Sequence, residues 1–496
     1  METLLSSRYI FILFALVGLL LGVGFVYPAL WWAGLIGVAS FITLSVRTST
    51  KRAALGGVLA WTIKSMLVLL WFFTTEPFAW LPAQYSEPAW STILIFWAYV
   101  SLLLGLAGGL VSVGSKQLWQ NFRPQIFWAA FPFLWVAGEV LGSLLFSIGT
   151  YGEGGSVGVA FSFGYAGYLL AEHGLIAPLA QLGGVYLLSF VSALLACGLW
   201  YFATESTLRF RRSAVVGGLL IIIFLAEVSL GENTSLSQES ITVAVVETEF
   251  TSLMMRDETW AEYRTSVLSR AVKAALEKNP DYLVLPEDAR FTPGGGSVAT
   301  MYDRFRLLYG DSDTVLLDSR AVLVGDGGTV LRAYIFDGLA KQAWSTDKQT
   351  LVPAGEYVPY VTKLVTTLLA NSLTESLDNN LVYRRGPQAS QAQFPAHVPA
   401  VLFCFESANP LAVFKLTRER TVPFIAHPIS HAMFSAPTQL WWQLDTMLRV
   451  QAVFNQVPIV SAGNEAASTL YQIDGSLVRP EIIATGERWQ VGLFRW

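Results

Sequence analysis

The sequence predicts a multi-pass α-helical membrane bundle of about seven spans, followed by an α/β domain. Three observations predict it. Of 496 residues, 53% are hydrophobic and only 14% charged, too apolar for an ordinary soluble chain. The apolar residues crowd into the first 230 or so positions, in runs approaching the roughly 20 residues that cross a bilayer. Beyond them the pattern changes to short β-branched runs alternating with amphipathic helices. Net charge is −4 and no Lys/Arg block appears, which sets nucleic-acid binding aside.

Spans are expected at 8–26, 28–46, 53–75, 91–114, 126–148, 177–201 and 213–231. The first run flows into the second after Pro28 and reads as an anchor, not a cleaved signal. Loops carrying Arg47, Lys51 and Arg52, then Lys116 and Arg123, then Arg209, Arg211 and Arg212 all fall on one side, and 74–89 and 149–156 carry no Lys or Arg. The positive-inside rule therefore puts the N-terminus in the cytoplasm and everything after residue 231 outside. The Gly-rich run 158–171 is too short for a span and reads as a re-entrant or interfacial piece. Lys64 and Glu139 lie inside spans, where charges face a bundle interior and find a partner; snorkelling of Lys64 is the plainer alternative.

The expected domains are a bundle over 1–231, a polar linker over 232–240 ("ENTSLSQES") and a catalytic domain over 241–496. Strands are expected at 241–247, 282–287, 321–326, 331–337, 400–406, 423–428, 458–464 and 468–474, and helices at 259–278 and 437–455. "VGDGG" (324–328) reads as a hairpin turn, since no helix follows to make it a phosphate loop.

Two cysteines are present, and Cys197 falls within a span, out of reach of Cys404, so Cys404 is expected to be a free thiol. A buried structural cysteine is the plainer reading of that residue alone. Strand alternation would put Cys404 and Glu406 of "AVLFCFE" on one face. Two further apolar runs end in charges that a packed core rejects: "LVLPEDA" with Glu287, and "STDKQTLVPAGEYVP" with Lys348 and Glu356. A desolvated carboxylate serves as a base near neutral pH, and an ammonium stabilises a thiolate or an oxyanion. Carboxylate, ammonium and thiol together point to acyl transfer through a thioester.

In chain order "LPE", "DKQTLVPAGEYVP" and "FCFE" resemble the Glu-Lys-Cys triad of the nitrilase superfamily, and "K-x-x-LVP-x-GEYVP" resembles the apolipoprotein N-acyltransferase family in particular. "FPFLWVAGEVLG" (131–142) and "PLAQLGGVYLLSF" (178–190) are similar to membrane helices of that family. The resemblance implies a nitrilase-like α-β-β-α sandwich after the bundle, in a bacterial cytoplasmic (inner) membrane. It implies Cys404 as nucleophile, Glu287 as base and Lys348 as oxyanion stabiliser, with Glu356 tuning Lys348 and Glu406 shaping the pocket. Phe405, Phe434 and Trp441 are the candidate lid or substrate-contact residues, with simple packing as the alternative. The implied donor is a phospholipid, phosphatidylethanolamine, and the acceptor the α-amino group of a lipoprotein's diacylglyceryl-cysteine. No cofactor or metal is expected, because His427 and His431 have no accompanying ligands and read as loop histidines. Nothing demands more than a monomer.

The sequence departs from the family pattern at Gly142, where an arginine is usual, at Glu247 in place of glutamine, and in "SHAMFSAPTQLWW" (430–442). Its seven expected spans lack the eighth, C-terminal one. A membrane-tethered amidase or hydrolase, and a non-catalytic lipoprotein-binding relative, are the rival readings.

Overall fold

The computed structural model describes residues 9–75, 86–204, 241–292, 298–310, 312–325, 328–387, 390–435 and 438–496. Among the described residues six helices make the first half: α1 (Ile10–Val23), α2 (Trp31–Arg47), α3 (Thr50–Val68), α4 (Ser86–Asn121), α5 (Pro124–Gly149) and α6 (Ala180–Thr204). With their flanking 3-10 turns, five helical stretches among the described residues are long and apolar enough to cross a membrane, beginning with Pro28–Arg47. The first expected span is shorter than anticipated. Its helix α1 has 14 residues and stops at Gly24, in the turn that leads to Pro28. The seventh expected span, 213–231, and the linker lie outside the described residues.

Small residues let the helices approach closely. A Cβ on Gly57 of α3 would stand 2.4 Å from the Gly108 carbonyl oxygen of α4, and one on Gly108 would stand 2.6 Å from that of Gly57. Helix α6 is broken at Gly183–Gly184, where Gly184 takes φ +57°, a conformation that favours glycine, and lies against Phe454 of the second half. The stretch 158–171 holds only a five-residue 3-10 turn, Ala166–Leu170, and is folded into the protein: Phe161, Phe163 and Tyr165 to Ala171 are buried. Glu139 Oε1 accepts the Ala166 N–H at 2.7 Å and the Trp135 Nε1–H at 3.0 Å. Lys64 does find this carboxylate: the ammonium is buried 4.0 Å from Glu139 Oε1 and lies over the Trp61 ring.

The second half contains β1 (Thr242–Thr248), α7 (Ala261–Leu276), β2 (Tyr282–Val284), α8 (Val298–Tyr309), β3 (Val315–Leu323), β4 (Thr329–Asp337) and β5 (Gln342–Asp347). Then come α9 (Tyr360–Leu369), α10 (Asn371–Asn380), β6 (Ala400–Val401), α11 (Ala412–Glu419), β7 (Ile425–Ser430), α12 (Thr438–Asn455), β8 (Ile459–Asn464), β9 (Thr469–Tyr471), β10 (Leu477–Val478), β11 (Glu481–Gly486) and β12 (Trp489–Arg495). One sheet runs β11-β12-β1-β2-β3-β4-β5 and the other β6-β7-β8-β9-β10; they join where Thr248 meets Asn464. Strand alternation builds four layers. Val243, Val245, Leu317 and Ile335 face Phe403, Phe424, Ala426 and Val460 across the inter-sheet core. On the reverse faces Ala244, Val246 and Leu283 pack on Val267, Ala271 and Val272 of α7, while Ile425 and Ile459 pack on Val413 of α11 and Leu448 and Ala452 of α12. The order is the expected α-β-β-α sandwich.

One strand departs from expectation in a way that matters. The run 400–406 pairs only at Ala400–Val401, and Cys404–Ala408 is a 3-10 turn, so strand alternation does not orient Cys404 and Glu406. Glu406 sets the turn by accepting the Phe403 N–H at Oε2, 3.0 Å away. The halves of the chain are packed together. Gln439 Nε2 donates to the Phe25 and Leu67 carbonyls, Tyr357 OH to Thr150 O, and Ser162 Oγ to Ala408 O.

Candidate active site

Three loops deliver the charged groups that the sequence singled out. Glu287 follows β2, where Asp288 takes φ +55° and is pinned by the Ala321 N–H on its Oδ1. Lys348 directly follows β5 and is held by its own N–H to Leu331 O. The loop "LVPAGEY" folds back so that Glu356 Oε2 accepts the Val352 N–H at 2.8 Å, with Ala354 at φ +61°. This return fixes the Glu356 carboxylate on the lysine, a physical reason for the compactness of the motif.

The Lys348 ammonium is only 1% exposed and donates to Glu287 Oε1 at 2.9 Å and Glu356 Oε1 at 2.7 Å. Burial alone would lower its pKa, but Glu287, Glu356 and Cys404 around it raise it well above the ordinary lysine value, so it stays cationic. Burial pushes the Glu287 carboxyl up to about 7; Lys348 opposes that rise and Glu356 adds to it. Burial, followed by the Glu287 charge, pushes the Cys404 thiol up, with Lys348 opposing. Cys404 therefore rests as a thiol, its Sγ 3.9 Å from Ser430 O.

Glu406 is taken up by backbone donors and not by the lysine ammonium. Its Oε1 accepts the Gln349 and Thr350 N–H groups at 2.7 and 3.0 Å while Oε2 holds Phe403, tying the Lys348 loop to the Cys404 turn. Burial raises its pKa and these backbone donors oppose the rise.

A cavity of about 410 Å³ contains Glu287, Lys348, Glu356, Cys404, Phe405 and Phe434 in its lining, so these candidates are brought together. Trp71 and Phe163 of the membrane half complete its wall. A second, apolar cavity of about 120 Å³ shares Trp71, Met433 and Phe434 with it and reaches Thr92, Ile93 and Phe96 of α4. Phe434 packs edge-on to Trp71, and the neighbouring Ser435 N–H is bonded to Thr74 O. Trp441 does not line the triad cavity; its Nε1–H donates to His431 Nδ1 at 2.7 Å. Trp442 donates to Glu172 of the membrane half.

His431 lies just past the end of β7, as a loop residue, but His427 does not. His427 lies inside β7, buried, with Nδ1 on the Ser461 hydroxyl and Nε2–H donating to Cys404 O at 3.1 Å. Burial lowers its pKa to about 3, so it braces the Cys404 turn as a neutral ring. This support was missed because the strand containing it was expected to end at residue 428, and its partners are distant in sequence.

Fold and site together define a membrane-embedded protein whose α-β-β-α domain presents a thiol, an ammonium and carboxylates to one cavity. Residues 17–198 match the model of the apolipoprotein N-acyltransferase N-terminal domain. The chain is 25% identical over 394 residues to the apolipoprotein N-acyltransferase of Aquifex aeolicus (strain VF5), covering 77% of this chain and 80% of that one. By these matches the chain is similar to apolipoprotein N-acyltransferases across both its halves. Among solved structures, similarity extends to a double mutant of the amidase from Nesterenkonia sp. AN1 in complex with acrylamide (13% identity, 53% of this chain, 93% of that chain, TM-score 0.35). It extends also to Saccharomyces cerevisiae Nit3, a member of branch 10 of the nitrilase superfamily (16% identity, 52% and 90% covered, TM-score 0.34).

Proposed function

We propose that the protein is an apolipoprotein N-acyltransferase that moves an acyl chain from a phospholipid, through a thioester on Cys404, to the α-amino group of a diacylglyceryl-cysteine. The observation that carries this reading is the apolar cavity that adjoins the triad cavity, shares Trp71, Met433 and Phe434 with it and reaches Thr92, Ile93 and Phe96 of α4. A water-soluble amide needs no such apolar neighbour; an acyl chain does.

Glu287, poised near neutrality, takes the thiol proton as Sγ attacks the ester carbonyl. Lys348 donates to the oxyanion, and Glu287 returns the proton to the departing glycerol oxygen, releasing lysophospholipid. In the second half the acceptor amine attacks the thioester, Glu287 receives its proton, and the Cys404 thiol is regenerated as the amide forms. Glu356 holds Lys348 in place. Phe405 and Phe434 contact the acyl chain, whereas Trp441 acts at the cavity's edge through His431. The catalytic domain works at the extracytoplasmic face, with phosphatidylethanolamine as donor.

Intact-mass measurement on the full chain incubated with phosphatidylethanolamine alone should show one acyl group, absent from Cys404→Ala. Adding a diacylglyceryl-cysteine lipopeptide should discharge it. Continuous release of free fatty acid without acceptor would make the protein a hydrolase, and no adduct would make it a non-catalytic relative.

A further inference from the structure

The α-β-β-α domain holds another cavity, of about 470 Å³, whose described lining includes Glu247, Asp445, Glu465, Arg479 and Arg488. Every residue lining it lies in the second half of the chain, in contrast to the triad cavity with its Trp71 and Phe163. The two cavities have two lining residues in common, His431 and Leu444. Glu247 and His431, two positions where the sequence departs from the family pattern, both line the polar cavity.

His431 is 4% exposed, and burial lowers its pKa to about 4, so the ring is neutral. An indole N–H only donates, so the Trp441 bond makes Nδ1 the acceptor and leaves the single proton on Nε2. That Nε2–H has no hydrogen-bond partner among the described residues. The atom is itself closed off in this conformation; a buried donor without a partner is costly, and a small turn of the ring at the boundary of the two cavities would let a ligand's acceptor atom satisfy it.

We propose that the polar cavity receives the polypeptide of the acyl acceptor, with His431 Nε2–H donating to a main-chain carbonyl oxygen of the residues that follow the lipid-bearing cysteine. This rests on the N-acyltransferase reading. Such an acceptor is an amphiphile: when its amine meets the Cys404 thioester, its acyl chains lie toward Trp71, Phe163 and α4, and its peptide needs a polar route through the other domain. The polar cavity meets the triad cavity at His431 and offers that route.

The test uses the full chain in phosphatidylethanolamine vesicles and two acceptors, diacylglyceryl-cysteine amide and the same lipid carrying a short Gly/Ser tail. Thioester formation is followed by intact mass, and KM is measured for each acceptor. The tailed acceptor should have a KM about tenfold lower in the parent protein. His431→Phe should abolish that ratio, as should Ala467→Trp and Thr485→Trp, which fill the cavity from exposed positions. The ratio within each variant is insensitive to the fraction of protein folded. Equal KM values for the two acceptors in the parent, or an unchanged ratio in all three variants, would overturn the inference while leaving the acyltransferase intact. Absence of any thioester in the parent would overturn both.

Discussion

At the scale of single residues, the central fact is an ammonium shared by two carboxylates beside a thiol. Glu287 stands near 7 because burial opposes its charge more than Lys348 favours it. As a base it must be ionised, so thioester formation should climb as pH rises through about 7 and fall away on the acidic side. Glu287→Gln should remove that limb and slow acylation by roughly 10²–10⁴-fold. Rates of acyl-enzyme formation between about pH 5.5 and 8.5 check this, and a flat profile in the parent would contradict it. The high thiol pKa works in the same direction, since a resting thiol depends on its base at the moment of attack.

At the scale of elements, the site is made of loops that side chains tie together. Glu406 is the clearest case, with three backbone N–H groups on one carboxylate. Glu406→Ala would leave three donors without an acceptor, at about 1–3 kcal/mol for each that stays buried. The variant should unfold at lower temperature and acylate Cys404 at least about tenfold more slowly. Glu406→Gln keeps one acceptor oxygen and should fall between the two, as thermal unfolding and intact-mass rates would show. The short strand β6 has the same origin: the chain leaves the sheet after Val401, and the 3-10 turn from Cys404 uses the Phe403 N–H for Glu406.

At the scale of the whole molecule, the two halves share one apolar cluster, from Val68, Trp71 and Phe163 to Leu440, Met447 and Val450. Below it lies the Lys64–Glu139 pair, in which Glu139 also holds the N–H of Ala166. Lys64→Met strips the buried carboxylate of its cation and should destabilise the fold by about 3–5 kcal/mol. Adding Glu139→Gln removes the charge while an amide oxygen can still accept from Ala166, so the double variant should melt above the single one. Thermal unfolding in detergent decides between this and a lysine that merely snorkels, for which Lys64→Met would change little.

The sequence by itself marked five of its seven expected spans, and the sandwich beyond them, because hydrophobic periodicity and span length are local properties. It also singled out Glu287 and Lys348, since charges at the ends of apolar runs are conspicuous in one dimension, and Cys404 through the company of those charges and the family resemblance. Strands β5, β10, β11 and β12 and helices α8, α9, α10 and α11 were not anticipated, their apolar content being mixed with polar residues and completed only by neighbours. Only the tertiary structure decided what Glu406, His427 and His431 do. Their partners, Gln349 and Thr350, Ser461 and the Cys404 carbonyl, and Trp441, come from other elements, and the direction of a hydrogen bond between elements is written in no local pattern.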